Sequence, residues 1–150
     1  MTLRVISPAF EAGATIPSRH SREGEDVSPP LAWGAPPEGT RELCVLVEDP
    51  DAPRPQPWVH WLVAGIPGAR TGLAEGESAG LIFGNTDFGD EHYGGPMPPR
   101  GHGLHHYHFK VFALKRPSGL HRGFRKADML AAIKGHVLDE GELVGTYERT

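Results

Sequence analysis

An all-β chain rich in tight turns is the fold class this sequence predicts, on three observations. Glycine and proline number 20 and 15 in 150 residues, each about twice its usual share, and they are spread through many short turns. Three segments, 41–48, 58–66 and 104–114, alternate side-chain character with the period of two that a strand imposes. Only one segment, 125–138, repeats apolar residues at helical spacing, through Leu130, Ile133, Val137 and Leu138, with Asp128 in the first turn where the helix dipole favours an acid. The length points to a single domain over residues 1–150.

In chain order, residues 3–6 can form a first strand that Pro8 stops, and residues 11–30 are polar and turn-rich. In the strand predicted over 41–48, Leu43, Val45 and Val47 share one face, and Cys44, Leu46 and Glu48 the other. Asp49 continues the first face to its rim, and an extended segment would aim Asp51 the same way. Pro50, Pro53, Pro55 and Pro57 then exclude helix, and a cis Ala52–Pro53 bond is an expectation for so tight a turn. In the next strand, His60, Leu62 and Ala64 alternate with Val59, Trp61 and Val63, leaving Trp58 on the side of His60. After a short apolar run at 81–83 comes a loop of about 20 residues at 84–103, a length more often functional than idle. The strand over 104–114 carries His105, Tyr107, Phe109, Val111 and Ala113 on one face, with His106, His108 and Lys110 on a second, partly solvated one. The helix over 125–138 and a last strand over 142–147 complete the chain.

The bulk chemistry excludes several functions. Acids outnumber bases, 19 to 15, and no basic tract is present, against the footprint nucleic-acid binding requires. The single cysteine, Cys44, rules out an intrachain disulfide and reads as a small core residue. No apolar run approaches the ~18 residues of a membrane span, and no secretion signal is visible, so a cytoplasmic location is expected by default.

Asp49, Asp51, His60, His105 and Tyr107, with the backbone at 96–101, form the candidate site. Each acid or histidine closes the apolar face of a different strand. If those ends meet, they make a polar hollow on a hydrophobic wall, the usual form of a small-ligand pocket, and the glycine-rich loop offers N–H groups for ligand oxygens. The plainer alternatives are turn chemistry for Asp49-Pro-Asp51 and a hydrogen-bonded core histidine for His60. His102, His105, His106 and His108 lack zinc-ligand spacing, so neither a metal nor a cofactor is expected. An acid–base hydrolase acting on a phosphoester is the rival to a binding protein, although no obvious nucleophile accompanies the acids and histidines.

The pieces together resemble one family. Asp49-Pro-Asp-Ala-Pro53, Trp58-Val-His-Trp61, Tyr93-Gly-Gly-Pro-Met-Pro-Pro-Arg-Gly101 and Leu104-His-His-Tyr107 are similar to motifs of the phosphatidylethanolamine-binding proteins, in the bacterial and archaeal Raf kinase inhibitor-like branch. Pro29-Pro-Leu-Ala-Trp33 and Gly145-Thr-Tyr147 extend the likeness over nearly the whole chain. The resemblance implies an antiparallel Greek-key β-sandwich with one or two short helices near the C-terminus. It implies a pocket for phosphate-like anions and phosphorylated headgroups built by Asp49, Asp51, Trp58, His60, Tyr93, Met97, Pro98, Pro99, His105 and Tyr107. It also implies a non-enzymatic role, a homodimer, and an unknown protein partner in regulating a kinase or protease. The chain departs from the family pattern at His106, where an arginine is usual, at Thr86 in an asparagine slot, and at the bulky Met97.

Overall fold

The computed structural model describes residues 3–150. In chain order the elements are β1 (Leu31–Ala32), β2 (Glu42–Asp49), β3 (Trp58–Pro67), β4 (Gly72–Leu73), β5 (Ile82–Phe83), β6 (His105–Leu114), α1 (Lys126–Ile133) and β7 (Val137–Tyr147). Five strands form one antiparallel sheet in the order β5-β3-β2-β6-β7, while β1 and β4 make a small second sheet. Strands β2, β3 and β5 follow one another across the large sheet and β6 returns to the far side of β2, which is the Greek-key order. The second layer is mostly irregular chain, because proline and glycine leave it only two strands of two residues each. Residues 3–6 add no strand: Ile6 makes a single bridge to Ala32, and the Leu3 amide donates to the Glu140 carbonyl.

Every residue of β2 is buried, because the sheet is covered on both faces. Leu43, Val45, Val47, Trp61, Val63, Phe109 and Val111 pack beneath Phe10, Ile16, Leu31 and Trp33. Cys44, Leu46, Leu62, Ala64, Phe112 and Leu114 pack against Phe124, Met129 and Ile133. Each large apolar side chain so buried contributes roughly 1.5–3 kcal/mol. Cys44 is fully buried, and burial with the nearby Glu42 carboxylate pushes its thiol well up, consistent with a core role.

Strict alternation fails in β3. Val47 pairs with Trp61, yet the next residue, Glu48, pairs with Val59. His60 is therefore an extra residue, a β-bulge. A second irregularity falls between the Leu43 and Val45 pairs, where Gly65 adopts a φ of +74°. The first bulge reverses the parity of the strand's beginning. Val59 packs with Leu62 and Ala64 instead of with Trp61, and the His60 ring packs edge-on against Tyr107 with centroids 5.1 Å apart.

The helix is shorter than its sequence pattern suggests. It ends at Ile133, and Gly135 takes a φ of +79°, the left-handed conformation that ends helices. Val137 and Leu138, expected on the helix, begin the eleven-residue β7 instead. Its buried face is Met129 and Ile133, whereas Leu130 is 44% exposed. The Asp128 carboxylate accepts the Arg125 amide and so caps the first turn. Among the described residues no helix is long and apolar enough to cross a membrane, and none of the peptide bonds is cis, against the expectation at Ala52–Pro53.

Because α1 covers the second face through so few side chains, Met129→Ala is expected to destabilise the fold by about 2–5 kcal/mol. Denaturant unfolding of the variant beside the wild type measures this.

Candidate functional site

The site lies where β2 ends, β3 begins and β6 begins. A cavity of about 220 Å³ is walled by Asp49, Ala52, Pro53, Trp58, His60, Phe88, Met97, Pro98, Pro99, His105 and Tyr107. Asp49 is the last residue of β2, and its side chain is 5% exposed. Its Oδ1 accepts the Asp51 amide at 2.8 Å, closing a turn of the kind aspartate favours. Its Oδ2 accepts from His105 Nδ1 at 2.6 Å. The alternatives of turn residue and pocket residue are thus both realised in one carboxylate.

His60 is clamped to the long loop. Its Nδ1 donates to the Gly94 carbonyl at 2.6 Å, and the Gly94 amide donates back to the His60 carbonyl at 2.9 Å. A carbonyl only accepts, so Nδ1 carries the proton. Burial lowers the ring's pKa to about 4, outweighing the raising effects of the Gly94 hydrogen bond and the Asp49 charge. At neutral pH the ring is therefore uncharged and Nε2 is an acceptor. Tyr107 is the complementary group. Burial, followed by the Asp49 and Asp51 carboxylates, pushes its phenol up, so its hydroxyl stays protonated and can donate.

Aromatic rings make the rest of the wall. Phe88 packs edge-on to Trp58 and to His60, with centroids 5.4 Å and 5.2 Å away. The Arg22 guanidinium lies 4.2 Å over Phe88 and the Arg54 guanidinium 4.5 Å over Trp58, so two cations back the apolar surfaces. The loop is pinned close to the sheet. Gly95 donates to Asp26, Pro98 accepts from Arg149, and the Gly101 amide donates to the Arg149 carbonyl. Position 95 must be glycine, since a Cβ there would lie 2.1 Å from the His20 carbonyl oxygen.

This arrangement sits in a chain whose relatives are recognisable. Residues 6–148 match the family model described as phosphatidylethanolamine-binding protein. The chain belongs to the phosphatidylethanolamine-binding protein family. A UPF0098 protein of Pyrococcus horikoshii is 41% identical over 157 residues, covering 99% of this chain and 78% of the relative. The crystal structure of YbcL from E. coli, described as a new member of the mammalian PEBP family, superposes with a TM-score of 0.92 at 32% identity, covering 100% of both chains. A family homologue from Chlamydia trachomatis superposes with a TM-score of 0.93 at 33% identity, covering 99% of each chain.

Of the residues expected in the family pocket, Asp49, Trp58, His60, Met97, Pro98, Pro99, His105 and Tyr107 all stand on the one wall. Asp51 does not. Its carboxylate is largely exposed and turns to His106, accepting the backbone amide at 2.8 Å and lying 2.8 Å from the ring Nδ1. The turn that Asp49 closes ends the extended geometry that would have aimed the two acids together. Tyr93 is also elsewhere. It donates to the His20 carbonyl at 2.7 Å, packs edge-on against Trp61, and lines a separate hollow with Asp26 and Glu91. The expected row of loop N–H groups is depleted too: residues 96, 98 and 99 are prolines, and the Gly101 and His102 amides are spent on Arg149 and Pro99.

Sequence reasoning missed Phe88 and His102. Phe88 had a visible signal, an aromatic residue inside the glycine-bounded run Gly84-Asn-Thr-Asp-Phe-Gly89, and Thr86 Oγ1 holds its amide at 3.2 Å. His102 had none, because its ring reaches His105 only through the loop's path: His102 Nδ1 lies 2.6 Å from His105 Nε2. Among the described residues no cluster of three histidines, cysteines or acids could hold a metal ion.

Burial of a neutral His60 fixes a pH dependence. The folded pKa, about 4, lies below the ordinary value of 6.5. Only the unfolded chain therefore gains the proton between those pH values, and stability falls as pH drops through that window. The loss is on the order of 3 kcal/mol. His60→Asn, whose amide can still donate to Gly94, should lack this increment when urea midpoints are compared at both ends of the window.

Proposed function

We propose that the chain is a binding protein for a small phosphoryl-bearing anion, such as phosphate or the headgroup of a phosphorylated lipid. The observation that carries this reading is the convergence of Asp49, His60, His105 and Tyr107, from three strands, in one cavity walled otherwise by rings and prolines. That combination of apolar walls and a few fixed polar groups is the usual design of a small-ligand site.

The protonation states narrow the ligand. His60 Nε2 accepts and the Tyr107 hydroxyl donates, so the pair matches a group carrying both an O–H and a bare oxygen. A singly protonated phosphate or phosphate monoester is such a group. An ammonium contact at Asp51 is not part of this reading, because that carboxylate is held by His106 outside the wall. The wall holds no serine, threonine or cysteine, so the alcohol or thiol nucleophile of an acyl-transfer triad is not among its residues.

Titration with inorganic phosphate and with phosphoethanolamine, followed through the imidazole NMR signals, tests the reading. Saturable shifts at His60 and His105 are expected, with His60→Ala weakening binding about tenfold or more and Asp51→Asn leaving it unchanged. Signals that stay fixed at millimolar ligand would defeat it.

A further inference from the structure

Resting on that reading, we propose that Met97 is an oxidation site at the mouth of the cavity, and that its conversion to methionine sulfoxide by a hydroperoxide weakens anion binding. Met97 lines the cavity and is 41% exposed, so its side chain stands between the ligand space and solvent. Met129, on the buried face of α1, is 0% exposed. A peroxide must reach the sulfur to oxidise it, so the two side chains differ sharply as targets.

The backbone keeps Met97 at this place. It lies between Pro96 and the pair Pro98-Pro99, whose rings fix φ and leave the segment few alternatives. The Pro96 carbonyl accepts the Arg22 amide at 3.0 Å, and the Pro98 carbonyl accepts Arg149 Nε at 2.6 Å. Both neighbours of Met97 are thus fastened to other parts of the chain. An oxidised side chain stays at the mouth, because the segment cannot swing away with it.

The chemistry needs only hydrogen peroxide. The sulfur lone pair attacks one peroxide oxygen, an S–O bond forms, and the O–O bond breaks. The proton on the transferred oxygen passes to the departing hydroxide, which leaves as water. Sulfur is oxidised by two electrons and the peroxide is reduced by two. The product is polar where the thioether was apolar. The free polar positions of the cavity are the His60 acceptor and the Tyr107 donor. A sulfoxide oxygen is a further acceptor, so it repels a negatively charged ligand and competes with it for the donor.

The experiment treats the wild type and Met97→Leu with hydrogen peroxide. The variant retains Met1 and Met129, so it reports any effect of oxidation elsewhere. Peptide mass mapping locates the added oxygen, and calorimetry with inorganic phosphate reads affinity before and after treatment. In the wild type, oxygen is expected on Met97 while Met129 stays reduced. Affinity should fall about three- to tenfold, the worth of one hydrogen bond lost to the ligand, and methionine sulfoxide reductases should restore it. The affinity of Met97→Leu, whatever its starting value, should be the same before and after peroxide. Oxidation of Met97 no faster than that of Met129 overturns the site. Sulfoxide at Met97 with unchanged affinity, or an equal loss in Met97→Leu, overturns its control of binding and leaves the pocket standing. Absence of phosphate binding in the untreated wild type overturns the pocket reading, and the control by Met97 falls with it.

Discussion

One extra residue in β3 sets the geometry of the site. Plain alternation puts His60 on the face of Leu62 and Ala64, beneath the helix, while Asp49, His105 and Tyr107 belong to the opposite face. The bulge between the Val47–Trp61 and Glu48–Val59 pairs resolves the conflict. Val59 takes the place beside Leu62 and Ala64, and His60 turns to Tyr107. Bulges re-aim side chains at the ends of strands in this way, and here the loss of a regular ladder pair is offset by the Gly94 clamp on both sides of His60.

The polar groups then satisfy one another before any ligand is considered. Asp49 uses one oxygen for the turn and the other for His105. His105 uses its second nitrogen on His102, and His60 uses its first on Gly94. Such saturation is what burial demands, because an unpaired polar group in a cavity this apolar is costly. In the proposed binding reading, contact with a ligand falls to the acceptor of His60 and the hydroxyl of Tyr107.

The loop over 84–103 behaves as part of the core although it has no regular structure. Gly94 and Gly95 approach the backbone and rings of neighbouring segments too closely for any side chain. Tyr93 fills the space beneath, and Arg22, Asp26 and Arg149 fasten the loop from two other parts of the chain. A wall built by such a segment can be rigid where it is pinned, at Gly94–Gly95, and adjustable at its lip, where Met97 is 41% exposed and His102 sits between two glycines.

Strands β2, β3 and β6, the faces of β2 and β6, and most of the cavity wall were legible in the sequence because a strand's period of two reports burial directly, and because acids, histidines and indoles at strand ends stand out against apolar runs. The motifs of the family added Met97, Pro98 and Pro99. What lay beyond reach were the features that depend on distant partners. Val137 and Leu138 fit a helical period, but Gly135 and the open edge of β6 drew them into a strand. Asp51 shares the sequence pattern of Asp49, yet the turn closed by Asp49 delivers it to His106. Phe88 joins the wall and His102 reaches His105 only because the loop crosses the ends of β3 and β6. The sequence by itself determined an antiparallel β domain with a polar rim on its core. The tertiary structure decided which rim groups face the cavity, since a one-residue bulge and a turn reverse direction at little local cost and leave no mark in the periodicity.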